Sequence, residues 1–375
     1  MMPEQKIITA DHGYAALDCF IKENNCQSLM LVCDGSIKFL KIKEYFDALS
    51  DRLSVRLTVF SDFKPNPLYE SVVKGVELFK KNGCGAIIAV GGGSAMDVAK
   101  CIKLYSNMNE GENYLRQTIV PNDIPLLAVP TTAGTGSEAT RFAVIYYNGE
   151  KQSVADESCI PSVVLMDPAA LKTLPEYQKK STMLDALCHA IESYWSVNST
   201  DESRGYSKLA IEAILGNMDA YLSGDEDACA KMLSAANIAG KAINITQTTA
   251  GHAMCYKLTS LYGIAHGHAA ALCVDKLLPF MAENTGKCVD PRGVEFLGGI
   301  LGKIAEAMGC ESVDKACERF HRILKGLDMA VPQAEEKDFE VLRSSVNPTR
   351  LKNHPVGLGT EDIDRLYRQI LSGGN

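Results

Sequence analysis

No stretch of the 375-residue chain approaches the roughly 18 consecutive apolar residues of a membrane-spanning helix, so no such span is expected. Long basic runs are missing too. The chain has 38 Lys and Arg against 46 Asp and Glu, a net charge of −8, so a nucleic-acid surface is not expected. At the start, MMPEQKIITADHG, no charged segment leads into an apolar one, and no secretory signal is expected. The 13 cysteines show no CxxC pair and no regular spacing. Without an export signal they read as reduced, mostly buried thiols, and the expected compartment is the cytoplasm. Internal repeats and low-complexity tracts are also absent.

What is present is a 46% hydrophobic chain, long enough for two or three domains or one large α/β enzyme. Up to about residue 170, short apolar runs alternate with helical patterns. Strands are expected at 28–33, 55–60, 86–90, 125–129 and 162–166, an amphipathic helix over 68–82, and a hairpin turn at Asn148-Gly149. This alternation predicts a mostly parallel sheet covered by helices. Beyond residue 175 only helical patterns remain. The expected division is an α/β dinucleotide-binding domain over 1–174 and an all-α domain over 175–375, parted where Leu174-Pro175 breaks the chain.

Two glycine-rich elements follow successive strands. Gly91, Gly92, Gly93 and Ser94 open a helix over 94–105, with Asp97 expected in its first turn. Glycine lets the backbone approach an anion, and a helix start offers free N–H groups. A plain tight turn would look the same, and GGGS is not the GxGxxG fingerprint. In PTTAGTGSEAT, Thr131, Thr132, Thr135 and Ser137 place four hydroxyls around two glycines, a cradle suited to phosphate or ribose. Asp34, at a strand end, could accept hydrogen bonds from an adenosine ribose and repel a 2′-phosphate, which favours NAD(H) over NADP(H). An ordinary turn aspartate before Gly35 explains it equally well.

Three of the seven histidines fall within 252–268, in an apolar stretch. Asp185 and His189 stand at i and i+4 of a helical pattern whose apolar stripe is Leu184, Leu187, Ile191 and Tyr194. Alone, that pair reads more readily as a helix-start aspartate and a core histidine. With His252 and His266 it becomes one carboxylate and three imidazoles, suited to Fe(II) or Zn(II), and an open position would permit Lewis-acid chemistry.

GGGSAMDVAK, PTTAGTGSEAT, DALCHAIESYWS and the later histidine pair together resemble the iron-dependent (group III) alcohol dehydrogenases. The resemblance implies the dehydroquinate synthase-like fold of that family: a Rossmann-like NAD(P) domain, a helical metal domain and a cleft between them, in a homodimer. It implies Asp185, His189, His252 and His266 as ligands of Fe(II), or of Zn(II) as the alternative. Gly91 to Asp97 would bind the pyrophosphate, and Thr131 to Ser137 the phosphate and nicotinamide side. Many relatives carry a further histidine where this chain has Tyr256, so Tyr256 or His268 would have to relay a proton or be bypassed by water.

YWSVNSTDESRGYS and CYKLTSLYGIAHGHA resemble the phosphonoacetaldehyde reductase branch. Arg141, Lys151, Arg204 and Lys257 are the cations that could hold a phosphonate, although each reads singly as a solvated surface base. The expected reaction is NAD(P)H-dependent reduction of a small anionic aldehyde, phosphonoacetaldehyde, to its alcohol, 2-hydroxyethylphosphonate. A general short-chain alcohol dehydrogenase or lactaldehyde reductase is the first alternative. The others are a dehydroquinate synthase-like lyase, against which DALCHAIESYW counts, and a non-catalytic metal- and nucleotide-binding protein.

Overall fold

A computed structural model describes residues 5–346 and 348–372. The chain divides into two compact units. One ends at Leu174 and takes in Gly224–Asn237, and the other comprises Pro175–Ser223 and the residues from Ile238 onward. No feature of the sequence marked 224–237 as belonging with the first unit.

The first unit is built on six parallel strands: β1 (Lys6–Thr9), β2 (Ser28–Cys33), β3 (Arg56–Phe60), β4 (Ala86–Gly91), β5 (Leu126–Pro130) and β8 (Val163–Met166). Their order is β1-β8-β5-β4-β2-β3. Each residue of β2, β4 and β5 is buried, as expected of central parallel strands covered on both faces. Leu29, Leu31, Ile88 and Val90 join Leu17, Phe20 and Phe46 in one core cluster. Side chains alternate along a strand, so Ile87 and Ala89 point to the other face, where helix Gly93–Tyr105 packs. The fold expectation is thus met. β1 was not anticipated, because KIIT sits at a sheet edge half exposed and carries little apolar signal.

Strands β6 (Phe142–Tyr147) and β7 (Glu150–Ala155) form a separate antiparallel pair. Asn148 and Gly149 both take positive φ, 52° and 77°, which the tight hairpin turn requires and these two residue types tolerate. The amphipathic helix runs over Tyr69–Lys81, burying Val72, Val76 and Phe79.

The second unit is helical. Helix Glu176–Trp195 packs against helices Asp201–Leu222 and His266–Glu283. From Met183 to Trp195 it is buried all round, not along a single stripe. Polar side chains caught there therefore need partners inside the protein. No described helix is long and apolar enough to cross a membrane, and none of the 13 cysteines is in a disulfide.

His354 is fully buried against the edge of the Trp195 ring, and among the described residues neither of its ring nitrogens has a hydrogen-bond partner. Burial lowers its pKa to about 4, with the Glu192 carboxylate pulling the other way. The unfolded chain takes up this proton near pH 6.5, and the folded chain resists it until about pH 4. The contribution of His354 to stability is therefore complete above pH 6.5 and is lost as pH falls toward 4, by something of order 3 kcal/mol. We expect the melting temperature to fall less between pH 7 and pH 5 in His354→Asn than in the parent chain. An equal fall in both would contradict this assignment.

Candidate metal centre and cofactor loops

The cofactor elements lie at the carboxyl ends of adjacent strands. Cys33 of β2 pairs with Val90 of β4, and Gly91 of β4 with Pro130 of β5. Asp34 and the two glycine-rich loops therefore leave the sheet side by side. The chain runs outward from β2 to β3 and then returns to β4 on the other side of β2. This reversal of strand order is the place where open α/β sheets bind ligands.

Close packing explains the glycines. Gly91 has φ +156°, and a Cβ there would stand 2.6 Å from Ala95 Cβ. A Cβ on Gly92 would come 3.3 Å from Thr132 Oγ1, and one on Gly93 would come 3.0 Å from Thr135 Cγ2. The two loops thus pack directly on one another. Helix Gly93–Tyr105 begins one residue earlier than expected, so its first free N–H groups lie at the glycine turn. Asp34 Oδ1 accepts from Ser36 N at 2.8 Å, and Oδ2 lies 3.7 Å from the place a Gly91 Cβ would take.

One placement is corrected. Asp97 is not in the first turn of its helix, because the helix starts at Gly93. Its carboxylate accepts from Ser137 Oγ at 2.9 Å, which ties the helix to the second loop. Lys100, one turn further, was not singled out from the sequence. It is fully buried, and its Nζ donates to the carbonyls of Ser137, Thr140 (2.7 Å) and Phe142 (2.8 Å). A lysine inside an apolar pattern gave no sign of this role until the turn it clamps was visible.

In the second unit, Asp185, His189 and His252 each bring a donor atom to within 4.8 Å of the others, and all three are buried. The His189 and His252 rings stack at 4.4 Å, and His252 Nε2 lies 3.4 Å from Asp185 Oδ1. His266 stands outside this tight triad. Its Nε2 is 4.0 Å from Asp185 Oδ1, its side chain is 35% exposed, and its ring meets His252 edge-on. Burial alone would raise the Asp185 carboxyl. The imidazoles of His189, His252 and His266 outweigh it and hold the group below the ordinary carboxylate range. Burial likewise disfavours charge on His252, but Glu192 and Asp185 raise it to about 9. An oxygen and two imidazole nitrogens converging in a buried site are the donors that Fe(II) or Zn(II) takes, with His266 on the accessible side as a fourth.

The His266-Gly267-His268 sequence is explained by contact. A Cβ on Gly267 would lie 2.0 Å from Ser181 O and 2.6 Å from Asp185 Cβ. Only glycine lets helix His266–Glu283 start against helix Glu176–Trp195 and bring His266 to Asp185. His268 points elsewhere. It is buried, and its Nδ1 lies 3.0 Å from the Tyr177 hydroxyl, which also accepts from Ala265 N at 2.9 Å. Tyr177 and His268 thus share a hydrogen bond, and burial lowers the His268 pKa. Tyr256 stacks on His266, with ring centroids 5.2 Å apart.

Of the cations singled out, Lys257 follows Tyr256 on helix Ala250–Tyr262. Arg204 donates to Ser199 O and Oγ and to Asp201, at the start of its own helix. In the first unit, Arg141 lies 4.0 Å from Glu157 and against the Phe142 ring, and Lys151 lies on β7. Besides Lys100, two more residues escaped sequence reasoning. Arg350 holds its guanidinium 5.6 Å from the Tyr256 ring centroid and donates to Thr248 Oγ1. Glu192 accepts from the Nδ1 side of the His252 ring. It stood inside the quoted motif, but spacing alone could not show what its carboxylate would meet.

The Gly267 contact yields a direct test. Gly267→Ala forces the two helices apart, an overpacking expected to cost about 1–3 kcal/mol. We expect a lower melting temperature and loss of metal from the purified protein by elemental analysis. Unchanged metal content and stability would contradict the contact.

Comparison with known proteins identifies the family. Residues 4–168 match the family model described as iron-containing alcohol dehydrogenase, and residues 179–371 match its C-terminal counterpart. Aldehyde-alcohol dehydrogenase 2 of Entamoeba histolytica is 34% identical over 73% of this chain, which spans only 35% of that protein's length. Phosphonoacetaldehyde reductase of Streptomyces viridochromogenes is 31% identical over 74% of each chain. Lactaldehyde reductase of Escherichia coli is 28% identical over 96% of this chain and 91% of its own. The crystal structure of sulfoacetaldehyde reductase from Bifidobacterium kashiwanohense in complex with NAD+ superposes with a TM-score of 0.87 at 26% identity, covering 99% of this chain and 98% of that one. The chain is an oxidoreductase belonging to the iron-containing alcohol dehydrogenase family.

Proposed function

We propose that this protein reduces a small anionic aldehyde, phosphonoacetaldehyde before others, to its primary alcohol with NADH. The observation that carries the anionic preference is Arg350. Its guanidinium lies over Tyr256, which itself lies on His266, the most accessible of the four candidate ligands. An arginine there suits a phosphonate or sulfonate through charge-assisted, bidentate hydrogen bonds. Lys257 adds a second charge beside Tyr256, and Arg141 and Lys151 of the first unit stay candidates. Arg204 is a weaker one, because its donors already serve Ser199 and Asp201. Two of the relatives act, by name, on acetaldehydes bearing a phosphonate or a sulfonate.

In this reading Asp185, His189, His252 and His266 hold the metal, Fe(II) in preference to Zn(II). Gly91 to Ser94 cradle the pyrophosphate, with Thr131, Thr132, Thr135 and Ser137 beside them. Asp97 and Lys100 keep that second loop in place. When bound, the metal supplies Lewis acidity toward the carbonyl oxygen, and the nicotinamide supplies hydride. The remaining work falls to the chain. Arg350 and Lys257 would bind and orient the anionic end of the substrate. Asp34 favours NADH, because its carboxylate would repel a 2′-phosphate. The product oxygen needs a proton, and Tyr256 and His268 are the proposed carriers, the latter through its hydrogen bond with the Tyr177 hydroxyl. A cytoplasmic homodimer remains part of the proposal. Family membership favours a dehydrogenase over the dehydroquinate synthase-like lyase.

The test is a substrate panel with anaerobically purified enzyme, Fe(II) and NADH. We expect kcat/KM to be highest for phosphonoacetaldehyde. Arg350→Ala should lower it about 10- to 100-fold, the value of one hydrogen bond to a charged group, while changing propanal less than about threefold. A preference for lactaldehyde or propanal would overturn the anionic reading and support the lactaldehyde reductase alternative.

A further inference from the structure

Glu192 is fully buried, three residues after His189 on helix Glu176–Trp195. Its Oε1 accepts from Thr249 N (3.0 Å), Thr249 Oγ1 (2.5 Å), Gly251 N (2.9 Å) and His252 N (3.4 Å). Its Oε2 meets His252 Nδ1. Trp195 Nε1 closes the group by donating to Thr249 Oγ1 at 2.8 Å. A Cβ on Gly251 would lie 2.9 Å from the Glu192 carboxyl carbon, so a side chain there would push the carboxylate from its partners. Helix Ala250–Tyr262 has no side-chain cap of its own, and the Glu192 carboxylate accepts from its first N–H groups instead.

This arrangement decides which nitrogen of His252 is left for a ligand. A carboxylate can only accept, so Nδ1 carries a proton and Nε2 is the nitrogen on the side away from Glu192. On that side Nε2 faces Asp185 Oδ1 at 3.4 Å. A metal ion taken up there would stand in place of any proton between Nε2 and the Asp185 carboxylate. We propose that Glu192 is the positioning residue of the metal centre, fixing His252 as an Nε2 ligand and setting its ring and its helix with one carboxylate. The inference rests on the reading of Asp185, His189 and His252 as a metal site.

The alternative is a carboxylate that serves only as a helix cap, and Glu192→Gln separates the two. The amide oxygen still accepts from the backbone N–H groups, while the amide NH2 donates to His252 Nδ1. The ring proton then moves to Nε2, where it blocks the ligand position. The measurements are Co(II) affinity by chelator competition, the Co(II) absorption spectrum, and the melting temperature of the metal-free protein. We expect E192Q to bind Co(II) about 10- to 100-fold more weakly, with an altered spectrum and a nearly unchanged metal-free melting temperature. Unchanged affinity and spectrum would overturn the proposal. A second readout needs no variant. In the Zn(II)-loaded parent protein, nitrogen NMR of the imidazoles should place the His252 proton on Nδ1, and a proton on Nε2 would overturn the assignment. If the parent protein binds neither ion, the metal reading itself fails, which is distinguishable from failure of the Glu192 role.

Discussion

A carboxylate buried among imidazoles is the constraint on which the helical unit depends. Asp185 and Glu192 both lie inside helix Glu176–Trp195, where water does not reach them. An ionised carboxylate in that setting is costly unless donors or cations surround it. Asp185 has histidines on three sides, and Glu192 has the start of helix Ala250–Tyr262. These needs set where the neighbouring helices begin, and glycine appears where they approach most closely, at Gly251 and Gly267. The histidine-rich stretch is thus packing and chemistry at once.

The α/β unit follows a similar logic with backbone in place of side chains. Three buried parallel strands deliver Asp34 and two glycine-rich loops to one end of the sheet. The loops contact each other at Gly92 and Gly93, and Lys100 draws three carbonyls of the turn after the second loop onto a single ammonium. Glycines and hydroxyls next to a helix start leave backbone N–H groups that no bulky side chain covers.

Much of this was legible in the sequence because it depends on local periodicity. Strands β2, β4 and β5 announce themselves as unbroken apolar runs, and Asn148-Gly149 as a turn. The ligand candidates were legible from residue type, since few soluble segments crowd imidazoles as 252–268 does. What stayed hidden depends on contact across long sequence separation. Glu192 meets residues 57 to 60 positions away, and Lys100 a turn some 40 positions away. Arg350 reaches Tyr256 from a short helix near the C-terminus. Asp97 was misplaced because a helix boundary moved by one residue, which spacing cannot resolve.

The central claim is that Asp185, His189, His252 and His266 bind one metal ion. The most direct measurement is anomalous X-ray diffraction from crystals of the metal-loaded protein, collected at the absorption edge of the bound metal. The account predicts a single peak per chain, bonded to those four side chains at about 2.0–2.2 Å, with His252 ligating through Nε2. A peak at other residues, or none at these four in protein shown to contain the metal, would contradict it.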